Sequence, residues 1–137
     1  MDDRTLICAA FAVRENAYTP YSHFKVGAAL LGKSGKVYCG CNIENAAFSP
    51  TICAERAALS QAVSSGEREF EAIAVVGSLE NQKNTLPTSP CGVCRQALFE
   101  FGGNDLRVIL AKSEDDYQVC TLGDLLPIGF GPKNIEH

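Results

Sequence analysis

The sequence predicts an α/β fold in which a mixed five-stranded sheet is sandwiched between helices. Three observations carry this. Apolar residues recur at helical spacing near the start; two short strand-like runs then flank a glycine-bearing turn; and from residue 53 onward helical and strand patterns alternate, the order of strands joined through helices that pack on the sheet. The chain has 137 residues, 46% of them hydrophobic, which suits one compact domain expected to span residues 1–137.

Leu6, Ala10, Val13 and Ala17 mark an amphipathic helix over residues 5–17, with Asp2 or Asp3 available as its cap, and Pro20 follows it. Residues 25–31 and 36–41 read as a hairpin across Gly32-Lys33-Ser34-Gly35. The alanine-rich stretch 53–64 suits a helix lying close on a sheet. Residues 70–76 form a nearly continuous apolar run, the pattern of a strand covered on both faces. The polar, proline-bearing stretch 81–90 is a loop. Residues 91–101 are helical again, with Val93, Ala97, Leu98 and Phe101 on or near one face and Gly102-Gly103 as the stop. Strands at 106–111 and 117–121 and a short helix at 122–126 complete the order.

Charge and composition narrow the function. The net charge is -4, with lysines and arginines scattered, so there is no electrostatic footprint for nucleic acid and a small-molecule substrate is expected. No run of about 18 apolar residues offers a membrane span. The start, Met1-Asp2-Asp3-Arg4, is acidic where a secretory or organellar leader would be basic, so a cytoplasmic protein is expected. Seven cysteines, an odd number in a chain that reads as intracellular, point to reduced thiols serving as metal ligands or core residues.

Two fragments carry the chemistry: Cys53-Ala54-Glu55 and Pro90-Cys91-Gly92-Val93-Cys94. Together they read as a zinc site with three thiolate ligands, Cys53, Cys91 and Cys94, and one carboxylate held off the metal. A structural zinc is closed by a fourth protein ligand, whereas a catalytic zinc keeps that position for water. Both fragments fall where a loop turns into a helix, beside positive helix ends that lower thiolate pKa. Three thiolates leave a net negative site, and Arg56 and Arg95 are the nearest cations by sequence to offset it. Glu55 is set to border the same pocket as a proton shuttle. A glutamate alone in a first helical turn has a plainer use, complementing the helix dipole. The C-x-x-C alone is open to three readings: a redox pair, a structural zinc closed with help from Cys39 and Cys41, or a catalytic zinc. Pro90 and the distant C-A-E favour the third.

The pattern is that of the zinc deaminases, H-x-E with P-C-x-x-C, with cysteine in place of histidine. Pro20-Tyr21-Ser22-His23-Phe24-Lys25-Val26-Gly27-Ala28-Ala29, Gly40-Cys41-Asn42-Ile43-Glu44-Asn45-Ala46, Cys53-Ala54-Glu55-Arg56, Ser89-Pro90-Cys91-Gly92-Val93-Cys94-Arg95-Gln96 and Leu125-Leu126-Pro127 resemble small cytidine deaminases in order and spacing, over nearly the whole chain. The resemblance implies a three-layer α/β/α sandwich with a mixed five-stranded sheet, one zinc ion per subunit, and a homotetramer whose active sites are completed across subunits. It implies that Glu55 shuttles protons to N3 of the base and then to the departing amine. Asn42 and Glu44 match the pair that binds the sugar on its 3' side, Ala54 would offer backbone hydrogen bonds to the pyrimidine edge, and Phe24 would pack on the ring. Phe130 would reach a neighbour's site. Phe48 stands where the family often carries a tyrosine whose hydroxyl bonds the nucleoside from an adjoining subunit, so it keeps the place and lacks the donor. The implied reaction is hydrolytic deamination of cytidine or deoxycytidine within pyrimidine salvage. The alternatives are a deaminase of a nucleoside analogue such as blasticidin S and a non-enzymatic module stapled by structural zinc. The run Asn42-Ile43-Glu44-Asn45 favours the nucleoside.

Overall fold

The computed structural model describes residues 1–136; the expected domain runs one residue further, to His137, which lies outside them. Helix α1 (Asp3–Arg14) is followed by the hairpin β1 (Phe24–Gly32) and β2 (Val37–Cys41), then by α2 (Ala54–Ser64), β3 (Phe70–Leu79), α3 (Gly92–Gly102), β4 (Arg107–Ala111), β5 (Tyr117–Thr121) and the short α4 (Leu122–Leu125). The strands form one sheet in the order β2-β1-β3-β4-β5. β1 is antiparallel to both β2 and β3, β3 and β4 are parallel, and β5 is antiparallel to β4. A parallel pair needs a crossover, and α3 supplies it.

Alternating side chains assign the layers. Ala29, Leu31, Ala72, Ala74, Val76 and Ile109 point to one face, where Leu6, Ile7 and Ala10 of α1 cover them. Their neighbours Ala28, Leu30, Ile73, Val75, Val108 and Leu110 point to the other, under Ala54, Ala58, Leu59 and Ala62 of α2 and Leu98 and Phe99 of α3. The result is the expected three-layer sandwich. Complete burial of side chains such as Leu6 and Ile7 contributes about 1.5–3 kcal/mol each. Glycine sets how closely α2 approaches: a Cβ on Gly40 would lie 2.4 Å from the Ala58 nitrogen and 2.6 Å from the Ala54 oxygen. The start of α2 is therefore pressed onto β2.

Two boundaries differ from the sequence pattern. α1 ends at Arg14, not residue 17, because the next residues close tight turns (Asn16 N–H to Val13 O and Ala17 N–H to Arg14 O, both 3.0 Å) that swing the chain toward the sheet. The Arg14 guanidinium anchors that exit, donating to the carbonyls of Lys25 and Ser78 at 3.2 Å each. β3 runs on through Gly77 and Ser78 to Leu79, since these less apolar residues still pair with Phe24–Val26 of β1. No helix among the described residues is long and apolar enough to cross a membrane.

Candidate active site

α2 and α3 lie on the same face of the sheet, and their first turns meet. Cys53 is the N-cap of α2 and Cys91 the N-cap of α3, both in extended backbone conformation (φ -77°, ψ 154° and φ -67°, ψ 169°), and neither side chain caps its own helix. An N-cap is ordinarily Ser, Thr, Asp or Asn, whose oxygen accepts from the first turn. Here the sulfurs turn toward one another, beside two positive helix ends. The buried Cys94 joins them, so that the three Sγ atoms lie within 4.8 Å of one another. Cys53 and Cys91 are 3.8 Å apart at sulfur. A tetrahedral zinc at about 2.3 Å from each sulfur spaces neighbouring sulfurs about 3.8 Å apart, so the donor set fits the ion in both chemistry and spacing. Among the described residues no fourth His, Cys, Asp or Glu joins the group, which leaves one vertex open.

Cys39 and Cys41 do not close it. Cys39 packs against the α1 face of the sheet, and Cys41, two residues along the same strand, shares that face; the sulfur group sits under α2 and α3. The structural-zinc reading that relied on them is thereby corrected. A third sulfur beside Cys91 and Cys94 likewise distinguishes the site from an isolated redox pair.

Glu55, in the first turn of α2, is 4% exposed. Burial, reinforced by the nearby Cys53 sulfur, pushes its pKa up to about 7. The thiols split in the opposite sense. Hydrogen bonding from the Cys94 thiol, then from Arg56 and Cys91, brings Cys53 down to about 5, while Cys94 is raised by its hydrogen bond to Cys53 and by burial. Arg56 donates to the Cys53 sulfur at 3.5 Å and is itself held more firmly protonated by the Cys53 and Cys94 sulfurs. Its Nε is buried without a partner. Arg95, the other cation suggested by sequence adjacency, is turned elsewhere. It donates to the carbonyls of Pro90 and Leu125 and to the Ser89 hydroxyl, each at 2.7 Å, and so ties the loop before Cys91 to the end of α4.

Beside the sulfurs lies a cavity of about 190 Å³, whose wall includes Cys53, Ala54, Glu55, Cys91 and Asn42. Val26, Thr51, Ile52, Thr88 and Ser89 complete it. Val26 and Ser89 stand inside stretches that carry the family resemblance, which gives them no role of their own; Thr51, Ile52 and Thr88 lie outside those stretches, and their adjacency to Cys53 and Ser89 is the signal the sequence offers.

Residues 1–111 match the cytidine and deoxycytidylate deaminase zinc-binding region. The chain belongs to that family. It is 46% identical to the cytidine deaminase of Sporosarcina psychrophila over all of this chain and 97% of the relative. It is 48% identical to that of Halalkalibacterium halodurans over 98% of each. Its fold is similar to that of the crystal structure of cytidine deaminase from Burkholderia pseudomallei, with a TM-score of 0.86 and 49% identity, covering 95% of this chain and 100% of that one. The cytidine deaminase from Mycobacterium tuberculosis gives 0.80 and 38%, covering 96% and 98%. As a member of the deaminase family the protein is a zinc-dependent hydrolase acting on C–N bonds, with Cys53, Cys91 and Cys94 as the metal-holding group.

The other residues expected of a deaminase site are placed unevenly around this centre. Asn42 is in the cavity wall, and its amide bridges the β1 backbone, accepting from Val26 N–H and donating to Phe24 O at 2.8 Å each. Glu44, two residues on, holds the turn before β1 through the N–H groups of Tyr21 and Ser22. Phe24 lies one step from the cavity, in an adjoining depression of about 310 Å³ that shares Thr88 with it. Phe48 and Phe130 are 72% and 60% exposed and stand outside the cavity of the single chain. The Phe48 ring meets Tyr21 edge-on at 6.1 Å, and the Phe130 carbonyl accepts from Gln96 Nε2 at 2.8 Å.

Proposed function

We propose that the protein deaminates cytidine and 2'-deoxycytidine to uridine and 2'-deoxyuridine with release of ammonia, a step of pyrimidine salvage in the cytoplasm. Residues 1–137 would act as one catalytic unit. The observation that carries this reading is the buried Glu55 carboxyl in the wall of a small cavity, next to three sulfurs that leave a metal vertex free. The cavity, about 190 Å³, is below the roughly 300–1,000 Å³ of sites for drug-sized ligands, which suits a single ring with its sugar at the mouth.

Zinc held by Cys53, Cys91 and Cys94 supplies Lewis-acid activation of water. Glu55 accepts a proton from the attacking water as its oxygen bonds to C4 and delivers that proton to N3 of the pyrimidine; it then takes the remaining proton of the new C4 hydroxyl and passes it to the C4 amine, so that the C4 carbonyl forms as the C–N bond breaks and ammonia leaves. Burial of the carboxyl favours its protonated form, which suits a group that must hold a proton between taking it and giving it up. Arg56 offsets the charge of the thiolates. The backbone of Ala54 faces the pyrimidine edge, Phe24 flanks the ring, and Asn42 and Glu44 take the sugar. Exposed Phe48 and Phe130 fit a role at neighbouring sites in a homotetramer, with Phe48 contributing apolar contact alone.

The test is Glu55→Gln. The expected result is a fall in kcat of about 100- to 10,000-fold with one zinc per chain retained, measured by cytidine absorbance and metal analysis. Near-normal turnover by the zinc-loaded variant would contradict the shuttle.

A further inference from the structure

We infer that Ser22 is a positioning residue for this reaction: its hydroxyl fixes the Glu44 carboxylate as the acceptor for the sugar 3'-hydroxyl of the nucleoside. The inference rests on the reading of Asn42 and Glu44 as the sugar-binding pair.

Asn42 and Glu44 alternate along one extended segment, so both side chains turn to the same side, onto residues 21–26. There the Glu44 carboxylate meets three donors. Its Oε1 accepts from the N–H groups of Tyr21 at 2.9 Å and Ser22 at 3.1 Å, and its Oε2 accepts from the Ser22 hydroxyl. An ionised carboxylate offers about four lone-pair positions. Two backbone donors occupy Oε1, so the position left for a ligand hydroxyl is on Oε2, the oxygen that Ser22 aligns.

Ser22 is itself held. Its Oγ accepts from the Phe24 N–H at 3.0 Å, which fixes the oxygen and directs the hydroxyl proton to Glu44. Between them His23 adopts a left-handed conformation, φ 59°, and its N–H donates to Thr19 O at 3.0 Å. The turn closed by that bond contains Tyr21 and Ser22, whose N–H groups both reach the same Glu44 oxygen. The Ser22 hydrogen bond, followed by the two backbone donors, holds Glu44 below the ordinary glutamate range, so it presents as an acceptor. Removing the hydroxyl leaves Oε1 held and Oε2 free to swing, which weakens the reading of the sugar without unseating the loop.

The experiment compares Ser22→Ala, Ser22→Thr and Glu44→Gln, each zinc-loaded, on cytidine and on 3'-deoxycytidine. Ser22→Ala is expected to raise KM for cytidine about tenfold with kcat within about twofold, the size of one lost charge-assisted hydrogen bond. On 3'-deoxycytidine it is expected to have little effect, and Ser22→Thr, which keeps the hydroxyl, is expected to restore cytidine KM. If Glu44→Gln discriminates between the two substrates while Ser22→Ala lowers kcat/KM equally on both, Ser22 is only a loop residue and the inference is overturned. If Glu44→Gln itself affects both substrates equally, the sugar-pair reading fails and takes this inference with it, while the deaminase reading stands.

Discussion

At the start of α1 the Asp2 carboxylate accepts from the Thr5 N–H at 2.8 Å, whereas at the start of α2 the Cys53 side chain leaves its own first turn and joins Cys91 and Cys94. Both are N-cap residues with extended backbone. In α1 the orphan donors of the first turn are met locally and the helix gains stability. In α2 they are left to face a thiolate group, and the dipole that would otherwise be quenched lowers the cost of gathering negative charge. The difference teaches that this protein gives up caps where it needs chemistry and keeps them where it needs only a helix.

The sharpest way to break this comparison is Cys53→Ser. Serine caps better than cysteine, so the variant is expected to stabilise chelator-treated protein by about 0.5–1 kcal/mol in denaturant melts. Loss of one of three thiolates is expected to lower zinc affinity and kcat/KM by at least about a hundredfold. A variant that is less stable and still active would reverse the assignment.

A smaller effect separates the two faces of the sheet. On the α1 face a Cβ on Gly27 would lie 2.1 Å from the Ala10 oxygen, and on the α2 face a Cβ on Gly40 would lie 2.4 Å from the Ala58 nitrogen. In both cases backbone must yield, and Gly27→Ala and Gly40→Ala are each expected to cost about 1–3 kcal/mol in urea unfolding. Only Gly40→Ala displaces the helix that carries Cys53 and Glu55. Its kcat should therefore fall, while Gly27→Ala, where it stays folded, should keep the parental kcat.

The smallest expected effect is at the ordinary cap. Hydrogen bonds from Thr5 hold Asp2 below the usual aspartate value of 3.8. Its contribution to stability is complete above that value and is lost as pH falls through the lowered one, because the folded state then must bind a proton it resists. Asp2→Ala should lower Tm by a few degrees near neutral pH, with the difference from the parent shrinking in strong acid and kcat/KM unchanged throughout.

What could be read from sequence was what is encoded locally. The helix over 53–64 follows from its alanine content and the C-A-E fragment, with Cys53 placed near its first turn, though not as the N-cap it proves to be, and the C-x-x-C sets Cys91 and Cys94 one turn apart at a helix start. The end of α1 was not legible, because apolar spacing continues to Ala17 while the chain turns away to feed β1, with Arg14 bonded to Lys25 and Ser78. Arg56 and Arg95 look alike beside their motifs, yet one guanidinium meets a sulfur and the other two carbonyls and a hydroxyl. Which way a side chain turns depends on the packing of α3 against the loop before it and on α4. Thr88 and Thr51 reach the cavity from separate loops, a juxtaposition that no periodicity records.

Zinc-edge X-ray absorption on the zinc-loaded protein measures the coordination shell itself. Three sulfur scatterers at about 2.3 Å and one lighter atom at about 2.0 Å are predicted. A shell of four sulfurs would mean that a fourth cysteine closes the site, and the account of a vertex left free beside Glu55 would be wrong.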